Sequence, residues 1–390
     1  MSATAPLPLH GITVVALEQA VAAPFATRQL ADMGARVLKI ERPGVGDFAR
    51  GYDSAVNGES SFFVWLNRSK ESVALDLAQP RGREILDALA ARADVFISNF
   101  APGAVERLGF DAARLRARDP RLIVCTVSGY GSEGPYRDKK AYDLLVQAEA
   151  GVTATTGDER PAKVGISVCD IAAGMYAFSS IVLALFARER GGTGAELSVS
   201  LFDAIAEWMS APAYATAHSG REPARAGLRH NSIYPYGPFR CGDGGSVMVA
   251  IQNDREWTTF CAEVLRRPEL AVDPRFAHNV ARSANRVAVD VLVEDAFAAL
   301  TCDGATALLD RSGIATARLN DVAGFLAHPQ LEARARRRDV ATPSGAMRAM
   351  LPPFIGLGEP AMGAVPALGE HTASVLREFG FDEPESRVRR

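Results

Sequence analysis

The sequence predicts an α/β protein built on a parallel sheet with helices on both faces, and three observations carry this. Short apolar runs recur at 9–17 (LHGITVVAL), 35–41 (ARVLKIE), 72–77 (SVALDL), 93–97 (ADVFI) and 122–128 (LIVCTVS). Helix-like stretches separate them, the order expected of successive β-α units. The junctions carry the right punctuation: Pro80 opens a helix, Gly34 closes one, and the fourth run ends in Ser98-Asn99-Phe100.

In chain order, the strand at 9–17 leads through Ala22-Ala23-Pro24 into a helix reaching Met33, and 35–41 is the next strand. Ligands of such units sit at the carboxyl ends of the strands, where Glu41-Arg42-Pro43-Gly44 falls. The stretch Gly44-Val45-Gly46-Asp47-Phe48-Ala49 has two glycines of the dinucleotide fingerprint, no third, and no helix after it, which argues against a nicotinamide dehydrogenase. A strand at 72–77, a helix from Pro80 to Arg92, a strand at 93–97, helices near 101–108 and 112–118, and a strand at 122–128 follow. A helix at 144–150 has Asp143 placed as its N-cap, and the apolar run 171–187 reads as a buried helix. A strand at 196–200 and a helix at 201–209 complete this part.

The texture changes near Ser219, where Arg221, Pro223, Arg225, Gly227 and Arg229 crowd together. The chain therefore divides into 1–218, a small α+β domain with its linkers at 219–328, and a return at 329–390. In the middle part a turn at 242–245 precedes a strand at 246–251, and 255–312 is mainly helical. In the last part, strand-like pieces between 340 and 356 are broken by prolines, and a helix spans 370–379. The run Arg334-Ala335-Arg336-Arg337-Arg338 reads as a solvated helix face.

With 390 residues, 48% of them hydrophobic, the chain can bury a large core. A net charge of −3 provides no general attraction for nucleic acid or anionic membrane, so an anionic ligand has to meet a local basic cluster. The five cysteines stand far apart with no metal-ligand spacing, and no metal or redox cofactor is expected. The first residues lack a secretory pattern, which makes the cytoplasm the expected location. The run 171–187 approaches membrane-spanning length but contains Gly174, Tyr176, Ser179 and Ser180, and a core helix suits it better.

At the mouth of that helix stands Asp170, with no cation at the next helical positions to neutralise it. As an N-cap it would contribute only about 1 kcal/mol. As a reactive carboxylate it would be the centre of the protein.

The order of Glu41-Arg42-Pro43, Asn67-Arg68-Ser69-Lys70, Asn99-Phe100-Ala101-Pro102-Gly103 and Asp170 before the apolar helix resembles the family III CoA-transferases, the formyl-CoA and carnitine CoA-transferase group, over nearly the whole chain. That resemblance implies a Rossmann-like large domain made from both ends of the chain, a small central domain, and two chains interlocked in a homodimer. It implies that Asp170 is the nucleophile and Asp143 the carboxylate that orders the site. It places coenzyme A against Arg42, the turn from Leu75 to Ala78, Asn99, Phe100, Arg107, Lys140 and Tyr142. Arg42, Arg107 and Lys140 would then form the basic cluster that the low net charge demands.

A carboxylate suits transfer of CoA between acids because it can become an anhydride and then a thioester without a general base. The resemblance is greatest to the branch handling mesaconate, itaconate or citramalate, with succinyl-CoA as donor. Arg225, Arg229 and His230 are candidates for meeting a distal carboxylate. The alternative within the same fold, a 2-methylacyl-CoA racemase, needs a His-Asp pair as proton carrier, and this chain has Tyr142-Asp143 in that place.

Overall fold

The computed structural model describes residues 6–381, which group into two compact units. The first comprises residues up to 152, 164–211 and those from 332 onward; the second comprises 153–163 and 212–331. Both boundaries differ from the expected 218/219 and 328/329. Segment 153–163, expected in the large domain, belongs to the second unit.

The first unit opens with β1 (Thr13–Leu17), α1 (Ala22–Asp32), β2 (Arg36–Glu41), α2 (Ser61–Leu66), β3 (Lys70–Ala74), α3 (Pro80–Ala90) and β4 (Val95–Ser98). It continues with α4 (Ala104–Arg107), α5 (Ala112–Arg118), β5 (Ile123–Ser128) and α6 (Asp143–Glu149), leaves for the second unit through the single turn α7 (Val152–Thr155), and resumes with α8 (Val168–Gly191), β6 (Glu196–Ser200) and α9 (Leu201–Trp208). The six strands form one parallel sheet in the order β3-β2-β1-β4-β5-β6. The order reverses between β1 and β4, and that switch point is where such a sheet opens a crevice at its carboxyl edge. Alternation along β1 feeds both faces: Val14 and Ala16 join the core beneath α1 and α8, Val15 and Leu17 the core beneath α3 and α5.

The third strand starts at Lys70 and not at 72, because the charge that disguises its start is buried. Leu75 N–H still reaches Glu41 O at 2.9 Å, and Asp76, accepting the Ala78 N–H at 3.0 Å, turns the chain immediately after it. The lysine belongs to an ionic cluster sealed inside the unit. Glu18 accepts from Lys70 at 2.6 Å, Thr27 at 2.6 Å and Lys39 at 3.3 Å, while Lys39 also meets Asp47 at 2.8 Å. Glu18 is held below the usual carboxylate range: the two ammonium groups outweigh its burial. The Lys70 ammonium is pushed down to about 8 by burial, against the pull of Glu18. Removing one partner strands buried charge of the other sign. Glu18→Gln is accordingly expected to cost about 3–5 kcal/mol, read as a lowered urea midpoint; a midpoint within experimental error of wild type would contradict this.

The long helix α8 extends beyond the expected 171–187 in both directions, and it is buried on one side only. Ala172, Ala173, Ala177 and Ile181 are in the core, whereas Leu183 and Phe186 are 67% and 60% exposed. The helix is long and apolar enough to cross a membrane by composition, yet its small-residue face lies along α1. Gly174 marks the closest approach, where a Cβ would come within 2.6 Å of the Ala22 carbonyl oxygen.

The connection out of the first unit runs through α10 (Ser210–Ser219). The second unit has an antiparallel sheet of β7 (Tyr236–Arg240), β8 (Ser246–Ala250) and β9 (Ala315–Arg318) in that order. Packed with it are α11 (Asp254–Thr259), α12 (Asn279–Ala284), α13 (Arg286–Phe297) and α14 (Cys302–Arg311), around Trp257, Phe260, Val289 and Phe297. Two short helices, α15 (Val322–Leu326) and α16 (Pro329–Ala333), follow.

The chain then returns to the first unit as a hairpin of β10 (Arg337–Thr342) and β11 (Gly345–Met350). Arg337 and Arg338 are therefore strand residues, paired with Glu332 and Glu359, and not a helix face. The last helix, α17 (Thr372–Glu378), covers the outer edge of β3. Ser72 O accepts from His371 N–H at 3.0 Å, and Ala74 N–H donates to Thr372 Oγ1 at 2.9 Å, so an edge that would otherwise be open is closed by the tail.

Candidate active site

The first turn of α8 places Asp170 at its third residue, after the N-cap Ser167. Asp170 is thus inside the helix and caps nothing. The capping is done by Asp143, 27 residues earlier: its Oδ1 accepts the N–H of Cys169 at 2.8 Å and of Asp170 at 3.3 Å. The expectation that Asp143 caps its own helix is corrected, since α6 begins at Asp143 with Tyr142 in the cap position. Its other oxygen accepts from Gln147 Nε2 at 2.6 Å, and Gln147 Oε1 accepts the Val164 N–H at 2.9 Å. This buried glutamine ties α6 to the strand of chain leading into α8.

A second carboxylate this close opposes the ionisation of Asp170. Asp170 is pushed up to about 7, first by burial and then by the charge of Asp143. It remains partly open to solvent. The neighbouring Cys169 thiol is pushed up to about 12 by burial and by both aspartates, which keeps it neutral. Tyr52, 45% exposed, has its phenol pushed up to about 12 by burial and by the charges of Asp47, Asp170 and Tyr142. Its position near Asp170 had no counterpart in the sequence reading.

The residues expected to touch coenzyme A follow different strands on one edge of the sheet. Arg42 follows β2, Leu75 to Ala78 follow β3, and Asn99 and Phe100 follow β4, so the parallel topology brings them to the carboxyl edge. Arg107 lies in α4 just beyond, and Lys140 and Tyr142 lie between β5 and α6. Arg42, Arg107 and Lys140 are exposed and have no ion-pair partner among the described residues. Leu75 is buried, Phe100 packs against the core beneath α3, and Tyr142 is 63% exposed.

Asn99 has a task within the protein. Its amide brackets Gln19, accepting the N–H at 2.9 Å and donating to the carbonyl at 2.8 Å. Ala20, at a positive φ of 61°, donates its N–H to Asp47 at 3.0 Å. The loop at the switch point is thereby fastened on both sides before it enters α1, and α1 in turn lies against α8. In the second unit, Arg225 donates to the carbonyls of Asp158 and Glu159, and Arg229 is paired with Asp290 at 2.7 Å. His230 accepts the N–H groups of Ser232 and Ile233 at 3.1 Å.

A six-stranded parallel sheet in Rossmann order, with a partly desolvated carboxylate at a helix mouth beside its carboxyl edge, defines an α/β protein with a candidate reactive acid. Residues 9–372 match the model of CoA-transferase family III. The acetyl-CoA:oxalate CoA-transferase of Acetobacter aceti is 36% identical over 96% of this chain and 97% of its own length. The succinate–glutarate CoA-transferase of Agrobacterium fabrum is 33% identical over 95% and 96%. The succinyl-CoA:mesaconate CoA-transferase of Haloarcula hispanica is 31% identical over 97% and 98%. Among solved structures, a CAIB/BAIF family protein from Brucella suis superposes with a TM-score of 0.83 at 33% identity, covering 96% of this chain and all of that one. The chain belongs to CoA-transferase family III and is a CoA-transferase.

Proposed function

We propose that the protein moves CoA between dicarboxylic acids, with Asp170 as its temporary carrier. The observation that carries this is the arrangement of Asp170 itself, raised to about 7 beside a carboxylate that holds its backbone in place. The carboxylate attacks the donor thioester and expels CoA thiolate, leaving a mixed anhydride. The thiolate attacks the aspartyl carbonyl, releasing the donor acid and forming an aspartyl-CoA thioester. The acceptor acid displaces the thiolate in its turn, and the thiolate takes the acceptor acyl group, restoring Asp170. No proton is needed at any step.

Coenzyme A is met by Arg42, Arg107 and Lys140 at its phosphates, with Leu75, Ala78, Asn99, Phe100 and Tyr142 around it. Their shared strand edge supports this reading, as does the lack of ion-pair partners for the three cations among the described residues. Racemisation loses ground on the geometry of Asp143, whose oxygens are taken up by Cys169, Asp170 and Gln147 and not offered as a proton carrier.

The acid pair falls within the range of the relatives, which act on oxalate, glutarate and mesaconate; mesaconate, itaconate or citramalate with succinyl-CoA is our reading. Borohydride or hydroxylamine trapping during turnover should mark Asp170 by peptide mass. Turnover with no adduct at Asp170 would remove the mechanism, whereas labelling with a different acid from a mass-read panel would change the substrate alone. Arg107→Ala is expected to raise KM for acyl-CoA about tenfold with a smaller change in kcat, the result of losing one charge-assisted phosphate contact.

A homodimer of interlocked chains completes the reading. Leu183, Phe186 and Trp208 expose large apolar side chains on α8 and α9, a face that a second copy would cover. Sedimentation of the purified chain alone should give twice the monomer mass. A monomer, or a complex formed only with another polypeptide, would refute this assembly; one relative, from Chloroflexus aurantiacus, bears the name beta subunit.

A further inference from the structure

Outside the Asp170 region, one cluster has chemistry that the transferase reaction does not use. Cys241 follows the end of β7, Asp243 lies in the turn to β8, and Cys302 is the first residue of α14. The two cysteines are 61 residues apart in sequence, yet their sulfurs and an Asp243 carboxylate oxygen all lie within 4.8 Å of one another.

The surroundings hold these three groups in place. Cys241 N–H donates to Gly245 O at 2.9 Å, Gly244 N–H to Cys241 O at 3.0 Å, and Gly242 N–H to Leu300 O at 2.8 Å. The carboxylate of Asp243 is aimed by two backbone donors, Cys302 N–H at 2.9 Å on Oδ2 and Gly245 N–H at 3.2 Å on Oδ1. The Cys302 thiol points at the same Oδ1 from 3.5 Å. A Cβ at position 245 would come within 2.5 Å of the Cys302 sulfur, so any larger residue there would displace that thiol.

We propose that Cys241, Cys302 and Asp243 form a binding site for a thiophilic divalent cation of the zinc class, with a fourth position open to water or an external ligand. In a tetrahedral zinc site with bonds of about 2.3 Å to sulfur and 2.1 Å to oxygen, neighbouring ligand atoms stand about 3.6–3.8 Å apart. The observed separation of 3.5 Å between Cys302 Sγ and Asp243 Oδ1 is close to that spacing. The two backbone donors on Asp243 are the kind of outer contact that orients a metal-binding carboxylate. Binding releases both thiol protons and leaves two thiolates and a carboxylate around the dication, a net charge of −1. The sulfur pair selects against magnesium and calcium, which take oxygen ligands.

The test is titration of the reduced full-length protein with cobalt(II) under anaerobic conditions, read by the near-ultraviolet thiolate-to-cobalt absorption, with zinc competing. One equivalent per chain is expected, displaced by zinc. Cys302→Ser should abolish the band, and Asp243→Asn should weaken binding about 10–100-fold. These two positions are the more exposed of the three, so their variants keep the test informative if Cys241→Ser fails to fold. No charge-transfer band in the reduced wild type, a band unchanged in Cys302→Ser, or conversion of the pair to a disulfide as its only response would overturn the site.

Discussion

Asp170→Asn is expected to be catalytically dead and more stable than the wild type. Loss of the attacking carboxylate should lower turnover by on the order of 10^4–10^6-fold, the range found when a sole nucleophile is removed. The stability gain follows from the raised acid. In the fold Asp170 titrates at about 7 against an ordinary 3.8, so the folded state holds a proton that the unfolded state releases earlier. The penalty is therefore absent at low pH, grows between about 4 and 7, and is complete above 7. Three pKa units would amount to roughly 4 kcal/mol. Solvent at the partly exposed side chain and the favourable field of the helix N-terminus, about 0.3–1 kcal/mol, reduce this to about 2 kcal/mol. A helix cap would behave in the opposite way, its loss costing about 1 kcal/mol. Urea midpoints of wild type and Asp170→Asn, compared at pH 5 and pH 8, decide the matter: the variant should gain at pH 8 and approach the wild type at pH 5. A variant less stable at pH 8, or one that still transfers CoA, would refute this account.

Asp143 gives the second large effect, and its two substitutions separate its two tasks. Asp143→Ala removes the oxygen on Cys169 and Asp170 N–H, which should cost about 1 kcal/mol of stability and let the first turn of α8 loosen. A nucleophile displaced by a fraction of an ångström loses about 10–100-fold in kcat. Asp143→Asn retains an acceptor for those N–H groups and removes the charge. The repulsion that helps to raise Asp170 then disappears, and its pKa falls from about 7. Because the ionised carboxylate is the reactive form, the rising limb of kcat/KM against pH should move to lower pH in Asp143→Asn. The new amide also faces a donor of Gln147, which must turn and give up its contact with Val164 N–H, at a cost of about 1 kcal/mol. A rising limb that stays where it is in the wild type would show that Asp143 does not set the ionisation of Asp170.

Position 170 could be singled out because an acid before a long run of small and apolar residues is conspicuous in one dimension. Asp143 carried two readings, and the local one, a cap on the helix at 144–150, failed for a physical reason. Asp143 sits one residue before an obvious helix, and local spacing suggests a local cap, whereas the bonds it makes cross 26 and 27 residues. Between the two aspartates the chain enters the second unit at 153–163 and comes back, and no periodicity records that excursion. The sheet was readable wherever its strands are wholly apolar. It was misread at Lys70, whose charge is neutralised inside the protein by Glu18, far away in sequence. Tyr52 and the thiol pair at 241 and 302 were missed likewise, since only tertiary folding brings their partners near.

The closure of the β3 edge by the tail bears on how the protein is made. Ser72 and Ala74 find their backbone partners only at His371 and Thr372, almost 300 residues later. A ribosome has to finish the whole second unit, and nearly the whole chain, before the first sheet receives its last edge. Until then a nascent polypeptide presents an unsatisfied strand to its neighbours, so messages cut short near their 3′ end should yield product that clumps or is degraded, even though every residue around Asp170 has already been translated.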